Sequence, residues 1–178
     1  MRKSLVLALC FSTALAVSQS EKPAKQRAAK AAKPGAAPAI GSLKCEALPP
    51  VFRSDSSSKV IQEKIGPNEG SPTGNSFFMI NPPARYLVVR LTPTTSDSAA
   101  YPVKIITRYT DDTIFEPVME AIVPQAGVPF VWGPLEVRPA EVPRDKVGDI
   151  VMVKVQENYA LQPDAKGFSY TLSVEGCN

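Results

Sequence analysis

The sequence predicts an all-β fold, an antiparallel β-sandwich of about seven to eight strands. Three observations point there. Short segments rich in β-branched and aromatic residues recur between turn residues, at a spacing of roughly ten residues. Eighteen prolines punctuate the chain, and apolar repeats of helical period are nearly absent. Two cysteines, Cys45 and Cys177, bracket the whole patterned region.

The strand segments follow in order. Ser76-Phe-Phe-Met-Ile80 stops at Asn81-Pro-Pro. Arg85 to Leu91 alternates Leu87, Val89 and Leu91 with Tyr86, Val88 and Arg90, so one face is aliphatic and the other mixed. Tyr101 to Tyr109 leads through Asp111-Asp112 into Thr113 to Ile122. This reads as a hairpin whose second strand carries Pro117, the mark of a sheet edge or a bulge. Val128 to Trp132 stops at Gly133-Pro134, and Ile150 to Val155 is apolar on both faces apart from Lys154. Phe168, Tyr170, Leu172 and Val174 alternate with Ser169, Thr171 and Ser173, the cleanest period of two in the chain. Residues 57–65 fit either a helix or a strand: a serine start and a Gly66-Pro67 stop suit the one, and Val60, Ile61 and Ile65 suit both. Immunoglobulin-like and jelly-roll-like arrangements both accommodate this count. Trp132 lies 87 residues beyond Cys45, away from the position of the immunoglobulin tryptophan, so the likeness is one of architecture alone.

The patterned region is preceded by two segments of different character. Residues 1–20 read as a cleaved signal peptide: Arg2 and Lys3, then an apolar run, then small residues that set cleavage after Ala16, Ser18 or Ser20. The apolar run is too short for a comfortable membrane span. Leu9 before Cys10 argues against a lipoprotein signal. Cleavage removes Cys10 and leaves an even pair, the pattern of a structural disulfide in an exported protein. Residues 21–44 are rich in alanine, lysine and proline and poor in large apolar residues, the composition of a flexible linker. Residues 45–178, closed by Cys45 and Cys177, form the expected domain.

Charge divides along the same boundary. Of 20 lysines and arginines, two lie in the signal and six in the linker, leaving 12 in residues 45–178. Of 17 acidic residues, 16 lie in residues 45–178 and one, Glu21, in the linker. The domain is therefore net −4 and the linker net +5. A basic pI of about 8.8 thus describes a cationic tether on a mildly acidic body, and nucleic acid is not an expected partner. The tether suits peripheral contact with an anionic surface.

Chemistry-bearing motifs are few. The chain contains no histidine, which excludes Ser-His-Asp and Cys-His mechanisms and the commonest zinc and copper ligand. Ser56-Ser-Ser-Lys59 has the Ser-x-x-Lys spacing of penicillin-recognising enzymes, yet no Lys-Thr-Gly follows and a polar loop explains it. Asp111, Asp112, Glu116 and Glu120 lack the spacing of a calcium loop and are read as turn and strand residues. Glu136, Glu141, Asp145 and Asp149, interspersed with Arg138, Arg144 and Lys146, read as a solvated mixed-charge connection. Tyr101, Tyr109, Phe130 and Trp132 lie near strand ends and are the candidates for an exposed binding surface. Loops 66–75 and 92–100 are the polar, mobile places where a site is most easily built.

The expected function is that of an exported, non-catalytic sandwich, periplasmic or extracellular, that binds or scaffolds another macromolecule. Its partner would be a protein or a cell-envelope polymer, and no catalytic residue, metal or cofactor is expected. The alternatives are a secreted hydrolase using two carboxylates on polysaccharide, and a secreted inhibitor or adhesin.

Overall fold

The structure, a computed structural model, describes residues 38–51, 58–67, 73–157 and 162–178. The signal peptide, most of the linker, Ser56 and Ser57 of the Ser-x-x-Lys stretch, and residues 68–72 of the first polar loop lie outside these residues. The described residues form nine strands: β1 (Cys45–Ala47), β2 (Ile61–Ile65), β3 (Thr73–Met79), β4 (Tyr86–Pro93), β5 (Tyr101–Tyr109), β6 (Ile114–Ile122), β7 (Phe130–Glu136), β8 (Gly148–Gln156) and β9 (Phe168–Cys177). The segment left open between helix and strand is strand β2, whose Ile61 and Ile65 face the core. With β1 only three residues long, the count is nine where the sequence suggested seven or eight.

Two antiparallel sheets pack face to face. Sheet A runs β1–β9–β4–β7, with β2 also pairing β9, and sheet B runs β3–β8–β5–β6. β1 pairs the end of β9 at Glu175–Cys177, and β2 pairs its start at Phe168–Leu172, so the two short strands share one edge. The pairings are nested: β5 with β6, β4 with β7, β3 with β8, and β2 with β9. A chain folded as one long hairpin and then rolled up gives this order. Of the two arrangements the sequence allowed, it is the jelly roll, in which, from β2 onward, the chain changes sheet at every connection but the innermost, β5–β6.

Period-two alternation builds the core. Leu87, Val89 and Leu91 of β4 and Phe168, Tyr170, Leu172 and Val174 of β9 point inward from sheet A. Val103 and Ile105 of β5 and Val151, Val153 and Val155 of β8 meet them from sheet B. Thr107 and Ser76 also point inward, and among the described residues neither hydroxyl has a hydrogen-bond partner. Pro117 lies in β6, the edge strand, opposite a bulge between Ile105 and Thr107. A second bulge sits between Leu87 and Val89 of β4, opposite Gly133. There φ is +138°, and a Cβ would lie 2.6 Å from the Leu87 carbonyl oxygen, so glycine alone fits.

Cys45 and Cys177 face each other across the β1–β9 ladder, with Cα atoms 4.1 Å apart and sulfurs at disulfide distance. Lys44 and Asn178, the next pair, exchange backbone hydrogen bonds of 3.1 and 3.0 Å. The cysteines therefore occupy a position where side chains approach most closely. Residues 38–44, read from composition as the end of the linker, belong with the body. They form a short 3-10 turn, Ile40–Ser42, and lay Ile40 and Leu43 over Tyr86 and Val88 on the outside of sheet A.

Candidate functional site

The outer faces of the two sheets differ in chemistry, and the difference follows from register. On sheet B, Phe77, Met152 and Ile106 lie side by side across β3, β8 and β5. The next row holds Met79, Ile150, Arg108 and Ile114, and a third holds Asn75, Lys154, Lys104 and Met119. All alternate with inward residues, so all face outward. Met79, Ile114 and Met119 are 40%, 66% and 70% exposed. Two of the three cations among them are paired: Lys104 with Glu116 at 3.0 Å, and Arg108 with Asp149 at 2.8 Å. Val123 after β6 extends apolar surface towards the open β6 edge. Sheet B's other edge is covered, because Val51 donates to the Phe77 carbonyl and Met79 donates to that of Pro49.

The corresponding face of sheet A is polar. Gln62, Lys64, Arg90, Thr92, Ser169, Thr171, Ser173 and Glu175 project from it. Of its apolar residues, Tyr86 and Val88 are covered by Ile40 and Leu43, and Val131, beside Arg90, is 41% exposed.

The two ends of the sandwich differ as well. At one end Asp97 gathers the β4–β5 and β8–β9 connections. Its carboxylate accepts hydrogen bonds from the Tyr101 hydroxyl (2.6 Å) and from the backbone amides of Ala99, Lys166 and Gly167. Burial opposes ionisation there, but the Tyr101 hydroxyl and the three amides outweigh it and hold Asp97 below the usual carboxylate range. The Gln162 side chain clasps both the N–H and the carbonyl of Ala100. The end of loop 92–100 is thus tied down, where the sequence suggested a mobile site.

The opposite end opens into a cleft of about 630 Å³. Arg85 from the β3–β4 turn, Arg138 from the end of β7 and Lys146 from the β7–β8 connection line it, over a wall of Ile80, Pro83, Ala84, Val137 and Val147. The Lys146 ammonium is bound to Asp111, whose carboxyl is lowered to about 2 by Lys146 and Thr113. Tyr109 donates from its hydroxyl to the Val137 carbonyl at 2.8 Å beneath the cleft, and burial raises its pKa against the pull of Arg138.

The four aromatic candidates do not form a surface. Tyr101 and Tyr109 are fully buried, Trp132 is 8% exposed, and Phe130 is half-buried and stacked on Trp132 at 6.2 Å. Nearness to a strand end does not expose a side chain whose alternation points it inward, and all four point inward. Trp132 donates its indole N–H to Glu120 across the gap between sheets. The acidic group read as turn and strand residues is dispersed: Asp111 to Lys146, Asp112 to Arg108, Glu116 to Lys104 and Glu120 to Trp132. Sequence reasoning missed the apolar face of sheet B, although Ile106, Met119 and Met152 were legible as apolar residues on the mixed side of their strands. It also missed the cleft, whose three cations are brought from positions 85, 138 and 146. Comparison with protein-family models, with curated proteins and with solved structures finds no match to this chain.

Proposed function

We propose that this chain is an exported, non-catalytic jelly-roll body that holds another macromolecule, a protein or a polymer of the cell envelope, through the outer face of sheet B. The observation that carries this reading is the row of large apolar residues there, with Met79, Ile114 and Met119 exposed beside ion-paired Lys104 and Arg108. Water-facing sheet surfaces are ordinarily polar, as sheet A's is. A contiguous apolar surface rimmed by charge is the composition of an interaction site. Export to the periplasm or beyond rests on the signal-like residues 1–20 and on the cysteine pair, which persists as a disulfide only in an oxidising compartment. The cationic residues 21–44 would add a weak, salt-sensitive attraction to anionic surfaces.

The test is site-specific crosslinking in the native envelope. A photo-crosslinker at Met119 should capture a stoichiometric partner, and the same group at Thr171 on sheet A should not. Capture should be lost in Ile114→Lys. Equal capture from both faces, or a monomer that turns over polysaccharide, would overturn the reading.

A further inference from the structure

We infer that the cleft between the β3–β4 turn and the β7–β8 connection is a site for a phosphate-bearing ligand of about sugar-phosphate size, held by Arg85 and Arg138. The inference is independent of the sheet B face, which lies elsewhere on the sandwich.

Charge is the first argument. Residues 45–178 are net −4, yet the side chains of the cleft lining hold Arg85, Arg138 and Lys146 against one acidic side chain, Glu136. Lys146 is already engaged by Asp111. Among the described residues, neither Arg85 nor Arg138 has a carboxylate within salt-bridge distance, and Glu136 makes no ion pair with either. Two exposed guanidiniums lining one cleft beside apolar side chains attract an anion and raise its local concentration.

Position is the second. Val137 donates its backbone N–H to the Arg85 carbonyl at 3.0 Å, so the chain segments bearing Arg85 and Arg138 are neighbours on the sheet A ladder. Arg85 is fixed from behind by Asn178, whose Oδ1 accepts from its backbone N–H at 3.0 Å and whose Nδ2 donates to Pro83. Its guanidinium lies over the Tyr86 ring, 5.2 Å from the centroid. A stacked guanidinium keeps its in-plane N–H edge available for a bidentate contact. Arg138 spends one N–H on the Arg144 carbonyl and retains the others.

Ligand class follows from this pairing. A single carboxylate matches one guanidinium fork and leaves the second charge uncompensated. A phosphate dianion carries oxygens enough for both. The cleft volume of about 630 Å³ lies in the range of small-molecule sites. Glu136 in the lining would accept from a ligand hydroxyl, which favours a phosphorylated sugar or polyol over inorganic phosphate alone.

The experiment titrates the purified disulfide-bonded protein with glucose 6-phosphate, with glucose, and with phosphatidylcholine vesicles containing or lacking phosphatidic acid. The phosphate-bearing probe should bind, glucose should not, and affinity should fall with added salt. Arg85→Gln and Arg138→Gln should each weaken binding about tenfold or more, as expected for loss of a charge-assisted contact. The double variant should show none, and Arg90→Gln, on the outer face of sheet A, should bind as the wild type does. Binding of the soluble ester assigns a free ligand; binding of acidic vesicles alone, with the same loss in Arg138→Gln, assigns a lipid headgroup. In the wild-type protein, amide shifts on titration should centre on Arg85, Val137 and Gly148, a readout that needs no variant to fold. Failure of every phosphate-bearing probe, survival of binding in the double variant, equal loss in Arg90→Gln, or shifts centred away from the cleft would overturn the inference.

Discussion

Sheet A and sheet B have inner faces of the same kind and outer faces of opposite kinds. On sheet A, serines, threonines and charged residues meet solvent, with Val131 at the β7 edge, and Tyr86 and Val88, which break the pattern, lie under Ile40 and Leu43. On sheet B, Phe77, Met152 and Ile106 form an apolar row, and Ile114 and Met119 stand more than half exposed. The chain has the means to cover an apolar sheet surface, and among the described residues it does so on one side only. Stability devices gather with the covered side: the cysteine pair sits on sheet A's outer face. The difference separates the side that closes the fold from the side available to a partner.

That separation predicts a ranking of mutational effects. Cys45→Ala/Cys177→Ala should destabilise most, by up to about 4–5 kcal/mol in the chain-entropy view of a loop this long, as read by chemical denaturation. A loss below about 1 kcal/mol would mean the β1 ladder holds without the covalent link. Native protein should show no titratable thiol.

Asp97→Ala, at the closed end, should cost about 2–3 kcal/mol for the lost hydrogen bonds to a charged group. Its folded pKa is lowered from 3.8, so its ionised form contributes stability above that value. The contribution is lost as pH falls through the lowered folded value, and the difference between wild type and variant should shrink in acid. A difference independent of pH would show that shape rather than charge holds that end.

Thr107→Val should stabilise by about 1 kcal/mol, since among the described residues the buried hydroxyl has no partner to lose. A thermal melt that moves down instead would reveal a partner for that hydroxyl. The smallest stability change, within about 0.5 kcal/mol, belongs to Met119→Lys. In that variant partner capture should collapse although the melting temperature barely moves; Thr171→Lys should alter neither.

Much of the fold was legible because alternation along a strand is a local property. Tyr101–Tyr109 appears as read, and the inward set Phe168, Tyr170, Leu172 and Val174 is the one the pattern named. Asp111-Asp112 makes the expected turn, with Asp112 at a φ of +64° that aspartate tolerates. The closure of Cys45 on Cys177 was legible from their even number once Cys10 is assigned to the expected signal. What was not legible is pairing across distance. Nothing local says that β3 runs beside β8, so nothing local says that Phe77 and Met152 share a surface. The charged run from Glu136 to Asp149 looked like a solvated connection for the same reason. It becomes one wall of a cleft only when Arg85 is brought beside Val137. The aromatic candidates failed on the opposite count: strand-end position was weighed above the alternation that buries Tyr101 and Tyr109.

The cysteine pair has a mechanical consequence. Residues 38–44 lead into β1, and Lys44 lies on the rung next to Cys45–Cys177. A pull on residues 21–44 would otherwise peel the three-residue strand β1 from β9 one hydrogen-bonded rung at a time. Covalent closure at the first rung diverts that load past β1 and into β9, an interior strand paired with β4 from Tyr170 to Cys177. Failure then requires shearing many rungs together instead of unzipping a few in sequence. A body anchored by its leading segment is thereby reinforced at the point where an anchor would strain it.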